Sequence, residues 1–176
     1  LLAVGADPEF FIKDLEGNPV PACGLIGGTK EEPKKIFPDD DYSAIQEDNV
    51  MVEFNIAPCR SPAEFSENLL KVMSHIRGML AKKALLADIS PSALFPDEIL
   101  TSQQAKTMGC EPDYDAYTGK LNTPLSHEKM KNLRCSGGHM HISFDKEPDG
   151  IGVYEAMRND HKLYTKIRNL TMDQLV

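Results

Sequence analysis

Three separate segments of the chain alternate apolar with polar side chains, the pattern of a β-strand that has one covered face. They span residues 2–13, 49–57 and 133–144. Successive side chains of a strand point to opposite faces, so each segment presents one apolar and one polar face. The apolar faces need a cover, and a chain of 176 residues is long enough for a sheet with a helix packed on it.

A helix that begins after residue 61 is the natural cover for that sheet. Ser61 is a good N-cap, Pro62 suits the first helical position, and Glu64 completes a capping box. An apolar stripe at helical spacing follows, and it predicts core packing. The stripe consists of Phe65, Leu69, Val72, Met73, Ile76 and Leu80.

The rest of the chain gives less specific signals. Pro8 implies that the first strand lies at an edge or contains a bulge. Residues 82–90 fit either a helix end or a strand. We expect loops at 24–41 and 110–124, a helix at 96–108 and a closing helix at 153–170.

The polar faces of the three segments carry groups that rarely pack in a core. Each group alone is ordinary, but the same alternation in three strands favours a shared site. Carboxylates favour Mg²⁺ or Mn²⁺, and added imidazole shifts the preference towards Mn²⁺ or Zn²⁺. The groups are Asp7 and Glu9, then Glu53 and Asn55, then His139 and His141.

The composition is that of one soluble domain, which we place at residues 1–176. The net charge of −8 argues against general nucleic-acid binding. Four widely separated cysteines suit free thiols in the cytoplasm, and no apolar run is long enough to cross a membrane. The chain starts at Leu1 and ends at Val176 without closing an element, so we expect that an end has been cut.

A glycine-rich stretch at residues 27–30 has the features of a short anion-binding loop. Gly27 and Gly28 would let backbone N–H groups approach a phosphate, and Lys30 adds a positive charge. The stretch lacks the full P-loop pattern, so a plain turn is the favoured interpretation.

Several motifs occur in an order that resembles the phage-encoded COOH–NH2 ligases of the phiEco32-like type. These are amidoligases, related to glutamine synthetase and glutamate–cysteine ligase. The resemblance covers most of the chain, and its motifs are more specific together than singly. They are Gly5-Ala6-Asp7-Pro8-Glu9-Phe10, Gln46-Glu47-Asp48-Asn49 with Glu53 and Pro58, Gly109-Cys110, and Gly138-His139-Met140-His141.

The resemblance implies an α+β fold, with a curved, mostly antiparallel sheet that has helices on one face. It also implies ATP with Mg²⁺ or Mn²⁺, and amide formation through an acyl phosphate in the cytoplasm of a phage host. The substrates would be a carboxylate and an amine, either small molecules or peptides. An oligomer is also possible, because the relatives of glutamine synthetase vary in oligomeric state.

The same resemblance assigns roles to positions of this sequence. The implied metal ligands are Asp7, Glu9, Glu53 and His139, and the implied catalytic residues are Glu9, Glu53 and His141. Lys30 and Asp48 match cofactor-binding positions less closely, and Asn55, from the polar face of the second segment, is assigned to the cofactor with them. By residue type alone, Asp48 and Asn49 could also coordinate a cation. Residues 24–41 are a candidate lid over the reacting groups.

Two alternatives to a ligase remain open at this stage. The same acids and histidines would serve a metal-dependent hydrolase that activates water. These ligases also need arginines from a later segment, and neither Arg158 nor Arg168 matches the pattern. That departure leaves open a catalytically inactive binding or structural relative of the ligase fold.

Overall fold

A computed structural model describes residues 2–106, 115, 117–121 and 131–144. The chain divides into two compact units. One consists of Ala3–Glu111 and Leu125–Ile142, and the other of Leu1–Leu2, Pro112–Pro124 and Ser143–Val176. All candidate site residues predicted from the sequence belong to the first unit.

The described part of the chain is mixed α and β, with a curled antiparallel sheet and few helices. Seven strands form the main sheet, and two strands form a second one. The elements are β1 (Leu2–Asp14), β2 (Pro19–Val20), β3 (Lys34–Lys35), β4 (Ala44–Asp48), β5 (Met51–Asn55), α1 (Pro62–Ala81), β6 (Leu85–Asp88), β7 (Ser92–Leu94), α2 (Gln103–Lys106), β8 (Leu133–Cys135) and β9 (Gly138–Phe144).

The long first strand, β1, is the centre of the main sheet. The sheet runs β2-β1-β5-β4-β3, and both β6 and β9 also pair with β1. The end of β1 lies between β2 and β6, because Ile12 is opposite both Val20 and Ala87. The expectation of an edge position at Pro8 is therefore wrong, since β1 has several partner strands.

Helix α1 begins and packs as the sequence predicts. The Ser61 hydroxyl accepts the N–H of Glu64 at 3.2 Å, and the Glu64 carboxylate accepts the N–H of Arg60 at 2.6 Å. The apolar stripe enters the larger core, where Val72, Ile76 and Leu80 are fully buried. That core also holds apolar side chains of β1 and of the segment around β5, namely Ala6, Phe10, Ile12, Val52, Phe54 and Ile56.

A smaller core covers part of the other face of the sheet. Phe11 and Met51, which share the faces of Glu9 and Glu53, are buried there against Phe95, Leu100 and Ala105. Since Ala105 belongs to α2, this short helix does not pack in the same core as α1. This other face of the sheet is thus apolar around Phe11 and Met51 and polar around Glu9.

Several element boundaries differ from the sequence prediction. The second segment contains a shorter strand than predicted, β5, and it begins at the turn of a hairpin, where Asn49 takes φ 55° between β4 and β5. Within 96–106 the helix is confined to Gln103–Lys106, and residues 97–99 form a turn. The ambiguous segment at 82–90 contains β6.

The third segment is two strands rather than one. β8 pairs with β7 in the small sheet, and β9 joins the main sheet. Ser136 lies at the break, where its N–H donates to the carbonyl of Pro91. The expectation that β9 has a covered apolar face is wrong for the described side chains, because Met140 and Ile142 are exposed.

Other expectations concern the cysteines, membrane crossing and the later part of the chain. Cys23, Cys59 and Cys135 are free thiols, in agreement with the prediction. Nowhere in the described ranges is there a helix with the length and apolar character needed to cross a bilayer. The predicted helix at 153–170 and Cys110 lie outside the described residues, as does most of the loop at 110–124.

Candidate metal centre on the sheet face

Three carboxylates from neighbouring strands converge on the polar face of the sheet. Glu9 of β1 is directly opposite Glu53 of β5, and Asp48 ends the adjacent strand β4. One oxygen of each carboxylate lies within 4.8 Å of one oxygen of each of the other two. These three residues are called the acidic cluster, and all of them are half-buried.

Like charges and burial act together on this cluster. Burial raises the pKa of Glu9; the Gly137 N–H opposes that rise, and the charges of Asp48 and Glu53 add to it. Burial likewise raises the pKa of Glu53, although a hydrogen bond from Gln46 opposes the rise. The cluster therefore concentrates negative charge that its neighbours only partly compensate.

The donor set of the cluster suits a hard divalent cation. Three carboxylates supply oxygen ligands alone, which is the preference of Mg²⁺ and Mn²⁺. A cation there would also relieve the repulsion that raises the pKa values of Glu9 and Glu53. The residues thus fit a magnesium or manganese ion.

The two histidines of β9 lie against Asp7. An oxygen of Asp7 lies 3.0 Å from Nε2 of His141, and the other lies 3.5 Å from Nδ1 of His139. The side chain of Asp7 is only 15% exposed, whereas those of His139 and His141 are 50% and 67% exposed. The structure therefore places Asp7 beside the histidines and Asp48 beside the two glutamates.

Backbone groups at the start of β9 hold the carboxylates of β1 in place. The N–H of Gly137 donates to Oε2 of Glu9 at 3.0 Å, and the N–H of His139 donates to Oδ1 of Asp7 at 2.7 Å. Gly138 permits this approach, because a Cβ there would lie 2.9 Å from Cα of Pro8. The glycine at position 138 thus has a steric reason.

Backbone N–H groups just before and at Gly27 do hold an anion, but this anion is a side chain of the protein, and only Gly27 belongs to the predicted stretch 27–30. Glu47 accepts the N–H groups of Gly24 at 2.8 Å, Ile26 at 3.0 Å and Gly27 at 2.8 Å. These three groups are called the amide cradle. Although burial opposes the effect, their hydrogen bonds lower the pKa of Glu47.

The other predicted site residues are Lys30, in the loop before β3, and Asn55, at the end of β5. Lys30 is exposed, and its positive charge opposes the rise in the pKa of Glu53. Asn55 is half-buried at the end of β5, opposite Ala44 and two residues from Glu53. Lys30 is thus an electrostatic neighbour of the cluster, and Asn55 shares a strand face with it.

The sequence interpretation underrated the strand before the hairpin. Residues 44–48 contain three consecutive polar residues, which obscured the alternation of β4. Gln46 and Asp48 share one face of it, and Gln46 donates to Oε2 of Glu53 at 2.7 Å. The signal that was available is Asn49, a residue type that tolerates the left-handed turn between two strands.

Comparison of the chain with protein-family models, with curated proteins and with solved structures finds no match. The link to a family thus remains the resemblance of sequence motifs. The convergence of Glu9, Asp48 and Glu53 is a separate observation, because it depends on strand register alone.

Proposed function

We propose that the chain is an ATP-dependent carboxylate–amine ligase with a glutamine synthetase-like catalytic fold. The observation that supports this most is the acidic cluster on the polar face of an antiparallel sheet. The ordered motifs quoted above give the ligase chemistry, and the cluster supplies a place where Mg²⁺ or Mn²⁺ would be held.

The charge of the reactants explains why such a cluster would be needed. Attack of a carboxylate on the γ-phosphate of ATP brings two anions together. A divalent ion held by Glu9, Asp48 and Glu53 would neutralise phosphate oxygens during that step. The reaction would then give an acyl phosphate, from which the amine displaces phosphate to form the amide.

The chain's own residues would orient the reactants around that ion. Glu9 is fixed by the N–H of Gly137, and Glu53 by Gln46. Lys30, whose charge opposes the rise in the pKa of Glu53, is assigned to the phosphates of the nucleotide. The exposed ring of His141, which Asp7 holds, is assigned to the acceptor or the phosphate.

Ligases of this type also require arginines. Arg134 is only 5% exposed, and it donates to the carbonyl oxygens of Ala105, Lys131 and Leu133. These contacts give it a structural role. Arg158 and Arg168 lie outside the described residues.

Hydroxylamine is a suitable test nucleophile, because it captures acyl phosphates as hydroxamates. The natural amine therefore need not be known. The protein is incubated with ATP, Mg²⁺ and pools of carboxylic acids, and hydroxamate, ADP and phosphate are measured. We expect all three in equal amounts. Glu53→Gln should abolish the formation of all three products. Glu67 is an exposed glutamate of α1, so Glu67→Gln should leave product formation unchanged.

Other product patterns identify the alternatives. AMP and pyrophosphate would indicate adenylation and exclude the acyl phosphate. Hydrolysis of a substrate without ATP would favour the metal-dependent hydrolase. A protein that binds Mn²⁺ but no nucleotide, with every acid tested, would favour the inactive binding or structural relative.

A further inference from the structure

The turn between β4 and β5 follows directly after Asp48, one of the three carboxylates of the acidic cluster. Only two residues, Asn49 and Val50, connect the two strands, and Asn49 takes φ 55°. Since Asp48 is the last residue of β4, the contacts that hold this turn also decide where its carboxylate lies.

A segment from outside the hairpin, residues 22–28, holds both residues of the turn. It is called the clamp segment. The N–H of Ala22 donates to the carbonyl of Val50 at 2.9 Å. Both residues are completely buried, so this hydrogen bond lies in the low-dielectric interior, where it is stronger than in water. The Sγ of Cys23 donates to the carbonyl of Asn49, also at 2.9 Å.

Glu47, the residue before Asp48, is held by the same clamp segment through its backbone and its side chain. Its N–H donates to the carbonyl of Gly28 at 3.2 Å. Its carboxylate accepts the three N–H groups of the amide cradle. Charged acceptors form the stronger hydrogen bonds, so this carboxylate is the main attachment between the clamp segment and β4.

The clamp segment is itself fixed by packing. A Cβ at Gly28 would collide with the carbonyl oxygen of Ile45 and would lie 2.8 Å from N of Lys34. Ile26, in the middle of the segment, is buried in the larger core. The segment therefore has one position relative to β4 and is a firm support for the turn.

The contacts of the clamp segment lie on both sides of Asp48 in the chain. The carboxylate of Asp48 is directed by the turn, because Nδ2 of Asn49 donates to its Oδ1 at 3.0 Å. One oxygen of Asp48 lies within 4.8 Å of an oxygen of Glu9 and of Glu53. Ligands of a metal site must be held to within about 0.5 Å, so the support of the turn matters for the cluster.

We propose that Glu47 is a positioning residue of the cation site, which fastens the β4–β5 turn to the clamp segment and so holds Asp48 beside Glu9 and Glu53. Glu47 acts through Asp48 and is not itself a ligand, because its oxygens accept backbone N–H groups. The inference rests on the proposed function in one respect, that the acidic cluster binds a divalent cation.

The first test measures Mn²⁺ affinity by calorimetry in two backgrounds. In the wild-type background, Glu47→Gln should weaken Mn²⁺ binding about tenfold, because the Asp48 ligand is no longer held in place. In an Asp48→Asn background, the same change should weaken it less than about twofold, because the ligand through which Glu47 acts is already lost. Equal losses in the two backgrounds would overturn the inference.

A milder variant gives the same comparison if Glu47→Gln does not fold. Cys23→Ala removes one hydrogen bond to the turn, and it should weaken Mn²⁺ binding about threefold in the wild-type background. In the Asp48→Asn background it should have no measurable effect. Thermal unfolding of each variant confirms that folded proteins are compared.

Two control variants separate positioning from a general loss of stability. Ser61→Ala removes the N-cap of α1, so it should destabilise the fold and leave Mn²⁺ affinity unchanged. Glu31→Gln neutralises an exposed glutamate close in sequence to the clamp segment, and it should leave that affinity unchanged too. A loss in either control as large as that in Glu47→Gln would overturn the inference.

The second test needs no cation. It measures the ¹⁵N order parameters of the backbone N–H groups of Asp48 and Asn49 by NMR relaxation. They should be near the rigid value of about 0.85 in the wild type and in Ser61→Ala, and should fall below about 0.6 in Glu47→Gln, because the turn is released. Unchanged order parameters and chemical shifts in Glu47→Gln would overturn the inference.

The two tests separate the inference from the proposed function. If the wild type binds no Mn²⁺ although the turn loosens in Glu47→Gln as expected, the cation site and the ligase proposal fail, and the positioning of Asp48 stands. If Mn²⁺ binds but Glu47→Gln changes neither the affinity nor the NMR signals, the positioning role fails and the ligase proposal stands.

Discussion

Glu47 and Asp48 are neighbours in the chain, yet their carboxylates lie in opposite environments. Glu47 accepts three backbone N–H groups, and these lower its pKa. Asp48 lies beside Glu9 and Glu53, whose pKa values are raised by burial and, to a smaller extent, by the charge of Asp48 itself. The charge of Glu47 is compensated by the backbone of the protein, whereas Asp48 belongs to a cluster whose charge is only partly compensated.

The contrast separates a structural acid from a functional one. Hydrogen bonds to the charged form stabilise the folded protein, whereas crowded like charges destabilise it. The acidic cluster lowers the stability of the folded protein when no cation is present. Binding of a cation there should therefore raise that stability more than at a compensated carboxylate. Glu47 and Glu53 should therefore respond to neutralisation with opposite signs.

The largest expected effect is loss of cation binding in Glu53→Gln. Removal of one of three oxygen ligands should weaken Mn²⁺ binding roughly a hundredfold, measured by calorimetry or electron paramagnetic resonance. Because the folded state raises the pKa of Glu53, neutralisation should also stabilise the cation-free protein, by about 0.5–1 kcal/mol. Unchanged Mn²⁺ affinity would show that the cluster is not a cation site.

The next effect concerns the strand that fixes Glu9. Gly138→Ala would place a Cβ 2.9 Å from Cα of Pro8, at a φ of 154°, and should cost about 2–3 kcal/mol in urea unfolding. Gly78→Ala, on the exposed face of α1, is the matched control, because a Cβ at Gly78 would meet nothing within 4 Å. It should stabilise by about 0.5–1 kcal/mol, and equal effects would refute the steric account.

Glu47→Gln tests the carboxylate whose charge is compensated by backbone N–H groups. The neutral amide is a weaker acceptor and brings an N–H₂ group towards backbone donors, so we expect a loss of about 1–2 kcal/mol. Hydrogen exchange at Gly24, Ile26 and Gly27 should also accelerate relative to the wild type. Stabilisation, as expected for Glu53→Gln, would contradict the distinction between the two acids.

The smallest effect is a pH dependence from another compensated acid, Asp40. Partial burial opposes it, but hydrogen bonds from Ser43, Tyr42 and Lys71 lower the pKa of Asp40 to about 2. A lowered folded pKa means that the stabilisation is complete above about pH 4 and is lost as the pH falls towards 2. Asp40→Asn should flatten that decline by about 1 kcal/mol in acid urea titrations.

Much of the architecture could be predicted because local signals agreed with the tertiary structure. Ser61, Pro62 and the apolar stripe define α1, and alternation defines β1 and the inward face of β5. The helix at 96–108 was overextended because its pattern competed with tertiary contacts, such as that of Phe95 with the smaller core. Propensity over a short window is easily overridden in this way.

The candidate site could be predicted only in part, since its register depends on long-range pairing. Glu9 and Glu53 were expected to share a face, and they are directly opposite. The place of Asp48 depends on the hairpin at Asn49, and that of Glu47 on a loop twenty residues earlier. Neither contact has a periodic signal in the sequence.

The pairing of β9 with β1 has a consequence for the order in which the chain is made. Asp7 and His141 touch across 134 residues, and Glu9 and Gly137 across 128. Contacts of such sequence separation form late, and synthesis proceeds from the N-terminus. A ribosome must therefore release nearly this whole stretch before the carboxylates of β1 acquire their final partners, which leaves a nascent chain without a finished cation site.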